Sequence, residues 1–415
     1  MLGTKCHGRR RAIGREMTTT AGQSGEGGLL LTGATGFLGM ELLARYLERT
    51  ERKVFALIRA SDREHAKARV GGLLERLFGR SDVHPGRVVP LVGDIEREGV
   101  GLAPDDRDLL ASEVSEIVHC AATVEFNASL RDCMRINVEG TRHVLALARR
   151  CARRGSLRRV AHVSTAYVAG EHRGPFGEDD LDVGQRFRNP YERSKYDAEH
   201  VVRSAAADLP AVTVLRPSII VGESTTGWTS AFNVLYVPLR AFASRKLRVL
   251  PAERSAPVDV VPVDYVADSI LELTATEEKG LCTYHLVAGD RATTVGDLIE
   301  LSARRLRRRP PPIVPPRLYR LAFPMLLACS GSRRRAVLER AAPFLPYYTM
   351  DVRYRRDRAA RRLDPVGLCP PRLETYYDRL LDYAIASDWG RRPLPRRITP
   401  PRTRTRRSPR RSLRR

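Results

Sequence analysis

The stretch Thr32-Gly33-Ala34-Thr35-Gly36-Phe37-Leu38-Gly39 follows a short apolar run, Leu29 to Leu31, and opens onto the helical pattern Met40 to Leu47. Its glycines stand in G-x-x-G-x-x-G spacing. Gly33 permits a tight turn, Gly36 lets a pyrophosphate approach the backbone, and Gly39 lets the helix pack on the sheet with its first N–H groups facing the anion. Glycines alone are a weak signal; strand, glycine turn and helix in that order mark a dinucleotide cradle. Thr32, Gly33, Thr35, Gly36, Phe37, Leu38 and Gly39 are its candidate cofactor contacts.

Outward from the cradle, apolar runs of strand type recur at Val54 to Ile58, Val88 to Val92, Ile117 to Cys120, Val160 to Val163, Val212 to Leu215 and Tyr284 to Val287. Amphipathic stretches such as Cys133 to Ala148 lie between them. Buried strands alternating with helices imply an α/β fold, a Rossmann-type doubly wound parallel sheet. The rhythm fails at 223–258 and after 290, where Pro310 to Pro312, Pro315 and Pro316 cluster. Those stretches predict a smaller interleaved C-terminal substrate lobe, 223–258 with 291–390, beside a nucleotide-binding domain of 27–222 with 259–290. Thr294 and Asp297 predict a capping box for a helix from Val295 to about Leu306.

The chain has 415 residues, 42% of them apolar, enough to fill a sizeable core and to exclude global disorder. No apolar run reaches the roughly 18 residues of a bilayer crossing. The basic start lacks the apolar segment of a secretory signal, and Met17 is a second candidate start. Seven cysteines without a C-x-x-C pair argue against a disulfide framework or a zinc site and for a reducing cytoplasm; no metal is expected. Of the net charge of +24, +12 falls in 391–415 and +3 in 1–26, leaving +9 on the body. Only six of the 72 basic residues are Lys, a bias more simply compositional than selected, and no recognition motif accompanies it, so no specific nucleic acid is expected. Residues 1–26 and the Arg-rich tail 391–415 are expected to be disordered, the tail being a candidate for peripheral attachment to an anionic membrane, for non-specific polyanion binding, or an inert product of composition.

Where an NAD enzyme carries an acid at the end of its second strand, this chain reads Leu57-Ile58-Arg59-Ala60. A guanidinium there suits a 2′-phosphate, so NADPH is favoured over NADH; the alternative is a solvated Arg with Asp62 serving the ribose. Asp94, ending the third strand, is placed for the adenine edge or caps the next turn. Tyr191 and Lys195 stand in Y-x-x-x-K spacing, on one helix face a turn apart. With 14 Tyr and six Lys, about 0.2 such pairs are expected by chance. A phenol titrating near pH ~10 is a poor acid at neutrality, and the ammonium is expected to lower it while holding the nicotinamide ribose. Ser164 or, preferably, Thr165 would hold a carbonyl oxygen beside Tyr191, unless Thr165 only forms a turn. Asn137 could bind a backbone carbonyl and anchor a proton-relay water, or sit idle on a helix surface.

At these residues the chain resembles the extended short-chain dehydrogenase/reductases, and more narrowly their fatty acyl-CoA reductase and thioester reductase branch, of the male-sterility NAD-binding type. The glycine motif, IVHCAATVEF (117–126), INVEGT, HVSTAYVAG, Tyr191 with Lys195, RPSIIVGESTTGW (216–228) and VDVVPVDYV (258–266) occur in that order over roughly 29–290. The resemblance implies Thr165, Tyr191 and Lys195 as the catalytic set, with Asn137 beside them, and NADPH on Gly33, Gly36, Gly39 and Arg59. Ala121 and Pro217, inside these motifs, complete the cofactor set with Asp94 and Lys195. It further implies reduction of an acyl thioester, carried on coenzyme A or an acyl carrier protein, to the aldehyde or on to the alcohol. Two alternatives use the same residues: a dehydrogenase or epimerase of a sterol-like alcohol or nucleotide sugar, and a regulatory protein that binds the nucleotide without turnover.

Overall fold

The structure, a computed structural model, describes residues 27–396 except 233, 246, 248, 329–330, 333–334 and 336–341. Its centre is one sheet of seven parallel strands: β1 (Gly28–Thr32), β2 (Val54–Ile58), β3 (Val88–Val92), β4 (Val114–His119), β5 (Arg159–Val163), β6 (Ala211–Pro217) and β7 (Gly280–Leu286). Their spatial order is β7-β6-β5-β4-β1-β2-β3. The order reverses at β1, which pairs with both β2 and β4, so a crevice opens at the carboxyl ends of β1 and β4 where such sheets bind ligands.

The helices that cross over are α1 (Phe37–Arg49), α2 (Arg63–Phe78), α3 (Pro104–Glu113), α4 (Gly140–Arg153), α5 (Pro190–Ala205) and α6 (Val263–Thr274). Because side chains alternate along a strand, Leu29 and Leu31 join one core with Leu43, Val70 and Ile270, while Leu30 joins the other with Leu110, Leu145 and Val202. Burial on both faces is why these strands read as continuous apolar runs.

A further core is drawn from Val221, Leu239, Leu250, Val295, Leu298 and Leu380, outside the seven strands. The capping box forms as expected, the Thr294 hydroxyl accepting from Asp297 N at 3.1 Å at the start of Val295–Leu306. Among the described residues no helix is long and apolar enough to cross a bilayer.

The expected tail boundary needs correction. Residues 391–395 are exposed, but Arg396 is buried, its guanidinium paired with Glu41 at 3.0 Å and Glu48 at 3.2 Å, both on α1. Burial raises the Glu41 carboxyl above its ordinary value, while Arg45 and Arg396 oppose the rise. A composition reading takes an Arg for a solvated charge and cannot see a buried acid waiting for it. The expected leader 1–26, with Met17, and the rest of the tail, 397–415, lie outside the described residues.

Candidate active site

The turn after β1 shows why glycine stands at its first and third positions. Gly33 has φ +76°, and a Cβ there would lie 2.7 Å from Ala121 N after β4; a Cβ at Gly39 would collide with the Gly33 carbonyl. Gly36 caps α1 with no side-chain bond to the first-turn N–H groups, and Gly36, Phe37 and Leu38 line an open cleft. Open amides beside a closely packed glycine turn fit a dinucleotide pyrophosphate.

Thr32 lies beneath the turn instead of in the cleft. Its hydroxyl bonds His119 Nδ1 at 2.8 Å and accepts from Ala121 N at 3.3 Å, tying β1 to β4. Burial drives His119 down to about 3, so it is a neutral strut. Thr35 is exposed beside Gly36.

Across the cleft stand Thr165, Tyr191, Lys195 and Pro217. Pro190 sits in the first turn of α5 behind the Asn189 cap, which accepts from Glu192 N at 3.0 Å. This start sets Tyr191 at the helix mouth. Lys195, one turn on, is buried and donates to Val163 O at the end of β5 at 2.8 Å. Burial lowers Lys195 to about 8, against the opposing pull of Cys120 and Glu199.

Tyr191 behaves differently from expectation. Burial pushes its phenol up to about 12, only partly offset by hydrogen bonding with Thr165. Burial disfavours the phenolate, so the Tyr191 proton is held more firmly than in water.

Ser164 and Thr165 separate cleanly. Ser164 donates to Glu199 at 2.8 Å, and Glu199 also takes a two-point contact from Arg216 at 2.6 and 3.0 Å, all three residues buried. Burial raises the Glu199 carboxyl, but Arg216 and its other partners outweigh this and hold it below the ordinary value. Thr165 is the one of the two in contact with Tyr191. It also caps the short turn Ala166–Ala169 by accepting from Tyr167 N at 3.2 Å.

Asn137 is buried, not on a helix surface, within a π-type stretch, Met134–Glu139, that feeds α4. Its amide accepts from Thr123 N at 2.8 Å and donates to Thr123 O at 3.1 Å and Ser194 Oγ at 2.8 Å. It thus binds a backbone carbonyl and clamps the loop after β4 to α5 next to Lys195.

Two residues stand apart from the cleft wall. Arg59, at the end of β2, keeps a side chain 72% exposed, 3.6 Å from Glu96, which also pairs with Arg135. Asp94 accepts from Glu96 N at 3.0 Å, capping its own turn. Asp62 likewise caps α2 by accepting from His65 N at 2.8 Å.

Sequence reading missed Phe126 in the wall and Tyr347 behind it. Phe126 stacks on Tyr347 at 5.3 Å and approaches Tyr191 at 5.7 Å, and Tyr347 donates to the buried Glu192 at 2.7 Å. Phe126 ends the motif IVHCAATVEF, where the sequence gives it no role of its own. Tyr347 carried no local signal, because it arrives from a segment 156 residues beyond Tyr191.

Residues 31–270 match the sequence model of the male sterility protein family. The chain belongs to the male sterility protein family. This bears out the resemblance and the fold expected from the motifs, and a nicotinamide dinucleotide is the cofactor of this male sterility domain. It is 32% identical to mouse fatty acyl-CoA reductase 1 over 280 residues, 59% of this chain and 53% of that protein. It is 31% identical to a linear gramicidin synthase of Brevibacillus parabrevis over 277 residues, 65% of this chain and 5% of that protein. The chain therefore spans about half the length of the reductase and a small part of the synthase. Among solved structures, the terminal R domain of the myxalamid PKS-NRPS pathway superposes with a TM-score of 0.76 at 26% identity, covering 89% of this chain and 94% of that one.

Proposed function

We propose that this chain is an NADPH-dependent reductase of acyl thioesters, carried on coenzyme A or an acyl carrier protein, giving the aldehyde and, in a second round, the alcohol. The observation that carries the reading is one cleft in which Thr165, Tyr191 and Lys195 face the glycine turn Gly33–Gly39, in a chain of this family. Cofactor binding is assigned to 27–222 with 259–290 and substrate binding to 223–258 with 291–390, in a protein of the cytoplasm. A nicotinamide cofactor supplies hydride when bound; the remaining work belongs to the side chains. Thr165 orients the thioester carbonyl oxygen. Tyr191, fully protonated at neutral pH, gives its proton to that oxygen as charge develops on it. Lys195 supplies a positive charge beside the resulting phenolate and binds ribose hydroxyls. Asn137 positions α5 through Ser194. The tetrahedral product is a hemithioacetal; its C–S bond breaks, the hydroxyl proton passes to the thiolate, and aldehyde and free thiol leave.

The +9 body suits a polyphosphate carrier or an acidic carrier protein. Arg59, exposed at the end of β2, supports NADPH over NADH. Arg59→Ala should erase most of that preference, since a charged hydrogen bond is worth ~1.5–3 kcal/mol, and equal use of both cofactors by the wild type refutes the assignment. Peripheral attachment to anionic membrane is supported by Leu318, Leu321 and Met325, exposed at i, i+3 and i+7 on the helix Pro316–Ala328. Sedimentation with anionic vesicles at low salt tests it, and absence of binding eliminates it.

Mass spectrometry of products after incubation with NADPH and an acyl-CoA panel tests the reaction. Aldehyde or alcohol with released thiol is expected. NAD(P)⁺ reduction with hydroxysteroids or turnover of nucleotide sugars, without thioester reduction, would transfer the chain to the dehydrogenase/epimerase reading; NADPH binding without any turnover would make it a regulatory protein.

A further inference from the structure

Tyr347 and Tyr348 are neighbours in the chain that enter different cores. Tyr347 packs with Tyr167, Phe176 and Val352, whereas Tyr348 packs with Leu250, Val295 and Leu298 in the smaller lobe. Tyr348 O also accepts from Glu253 N at 3.0 Å, fastening the pair to that lobe. The turns Ala342–Thr349 therefore carry one side chain out of the lobe core and against α5.

What Tyr347 reaches is the start of that helix. Its hydroxyl accepts from Asn189 Nδ2 at 2.8 Å and donates to Glu192 Oε1 at 2.7 Å. Asn189 caps α5, and Glu192 is buried, its other oxygen accepting from Arg188 N at 3.0 Å. Pro190 and Tyr191 fill the two positions between them. One hydroxyl thus bridges the two side chains that bracket Tyr191, acting as donor and acceptor at once. The ring adds a second hold, since it stacks at 5.3 Å on Phe126, which lies 5.7 Å from the Tyr191 ring.

The N–H groups of a helix's first turn lack partners within the helix, so that turn depends on its cap. Tyr191 stands in this turn, while Lys195, a turn further on, has its own bond to Val163 O. Loss of the Tyr347 hydroxyl would therefore disturb the phenol and spare the lysine.

We propose that Tyr347 is a positioning residue for Tyr191, reaching it from the smaller lobe, so that the aim of the proton donor depends on how that lobe is seated. Tyr347 acts through Asn189, Glu192 and Phe126. The inference rests on the reading of Tyr191 as the proton donor and deepens it.

The test is Tyr347→Phe in the full chain, which keeps the stacked ring and removes only the hydroxyl. kcat for acyl-CoA reduction should fall about tenfold or more, because a small misplacement of the donor slows the step, while the Kd for NADPH in a fluorescence titration stays within about twofold. Asn189→Ser, which keeps the cap and removes the amide that holds Tyr347, should show the same split in weaker form, and it serves if Tyr347→Phe does not fold. Unchanged kcat in either folded variant overturns the proposal. So does a parallel loss of kcat and NADPH affinity, the mark of general loosening. Amide hydrogen exchange reads the same hold without turnover. Glu192 N and Arg193 N, which bond to Asn189, should exchange about tenfold faster in Tyr347→Phe, and the amides from Lys195 to Ala198 at the wild-type rate. If the wild type reduces no thioester, or Tyr191→Phe reduces it normally, the proton-donor reading has failed by itself. The exchange pattern then decides whether Tyr347 holds the first turn, and rates that are unchanged or raised all along the helix end the proposal.

Discussion

Tyr191 and Lys195 illustrate how far spacing reaches at the scale of a residue. Four positions on a helix put them on one face, as the sequence reading expected, but their acidities follow from surroundings that spacing does not describe. Lys195 turns to Val163 O, and burial then moves the two groups in opposite directions, the phenol up to about 12 and the ammonium down to about 8. Burial disfavours whichever form is charged. If Tyr191 is the proton donor, Tyr191→Phe should lower kcat by ~10²-fold or more with NADPH affinity little changed, as measured by single-turnover kinetics and cofactor titration; near-normal turnover excludes the role. A second expectation concerns pH. Lys195 is charged below its lowered pKa and loses its proton as pH rises through about 8, so kcat/KM should decline across that range, well below the ordinary lysine range. A pH-rate profile checks it, and a rate flat to pH 10 would mean that the ammonium contributes nothing to the step.

The glycine turn is legible at the scale of an element because its demands are local. A left-handed backbone at Gly33 and the close approach of α1 at Gly39 are both satisfied only without a Cβ, and both residues were readable from one motif. Gly39→Ala should push the first turn of α1 off the sheet and weaken NADPH binding at least tenfold in a fluorescence titration, since overpacking costs ~1–3 kcal/mol. An unchanged Kd would show that the turn tolerates the methyl group. Other elements were legible in kind but not in detail. The helix expected from Cys133 onward is present, yet it opens through the wide turns of Met134–Glu139, which lie where Asn137 reaches both Thr123 and Ser194. Such a bulge answers to tertiary neighbours and leaves no period in the sequence.

At the scale of the whole molecule, the C-terminal Arg396 closes over α1. Arg396→Ala should cost ~2–3 kcal/mol, because Glu41 is wholly buried and keeps only Arg45 as partner; denaturant unfolding measures it, and truncation after Trp389 should carry the same loss. A variant as stable as the wild type would mean that Arg396 is not held there. The sequence by itself determined the parallel sheet, its nucleotide turn and the Tyr191–Lys195 pair, since strand burial, glycine geometry and helix periodicity are properties of neighbouring residues. Only the tertiary structure decided that Ser164 is engaged by Glu199 while Thr165 contacts Tyr191, that Tyr347 stacks behind Phe126 of the cleft wall, and that Arg396 belongs to the folded body. Those outcomes depend on contacts between segments far apart in the chain, where burial and the satisfaction of charge are settled by the fold as a whole.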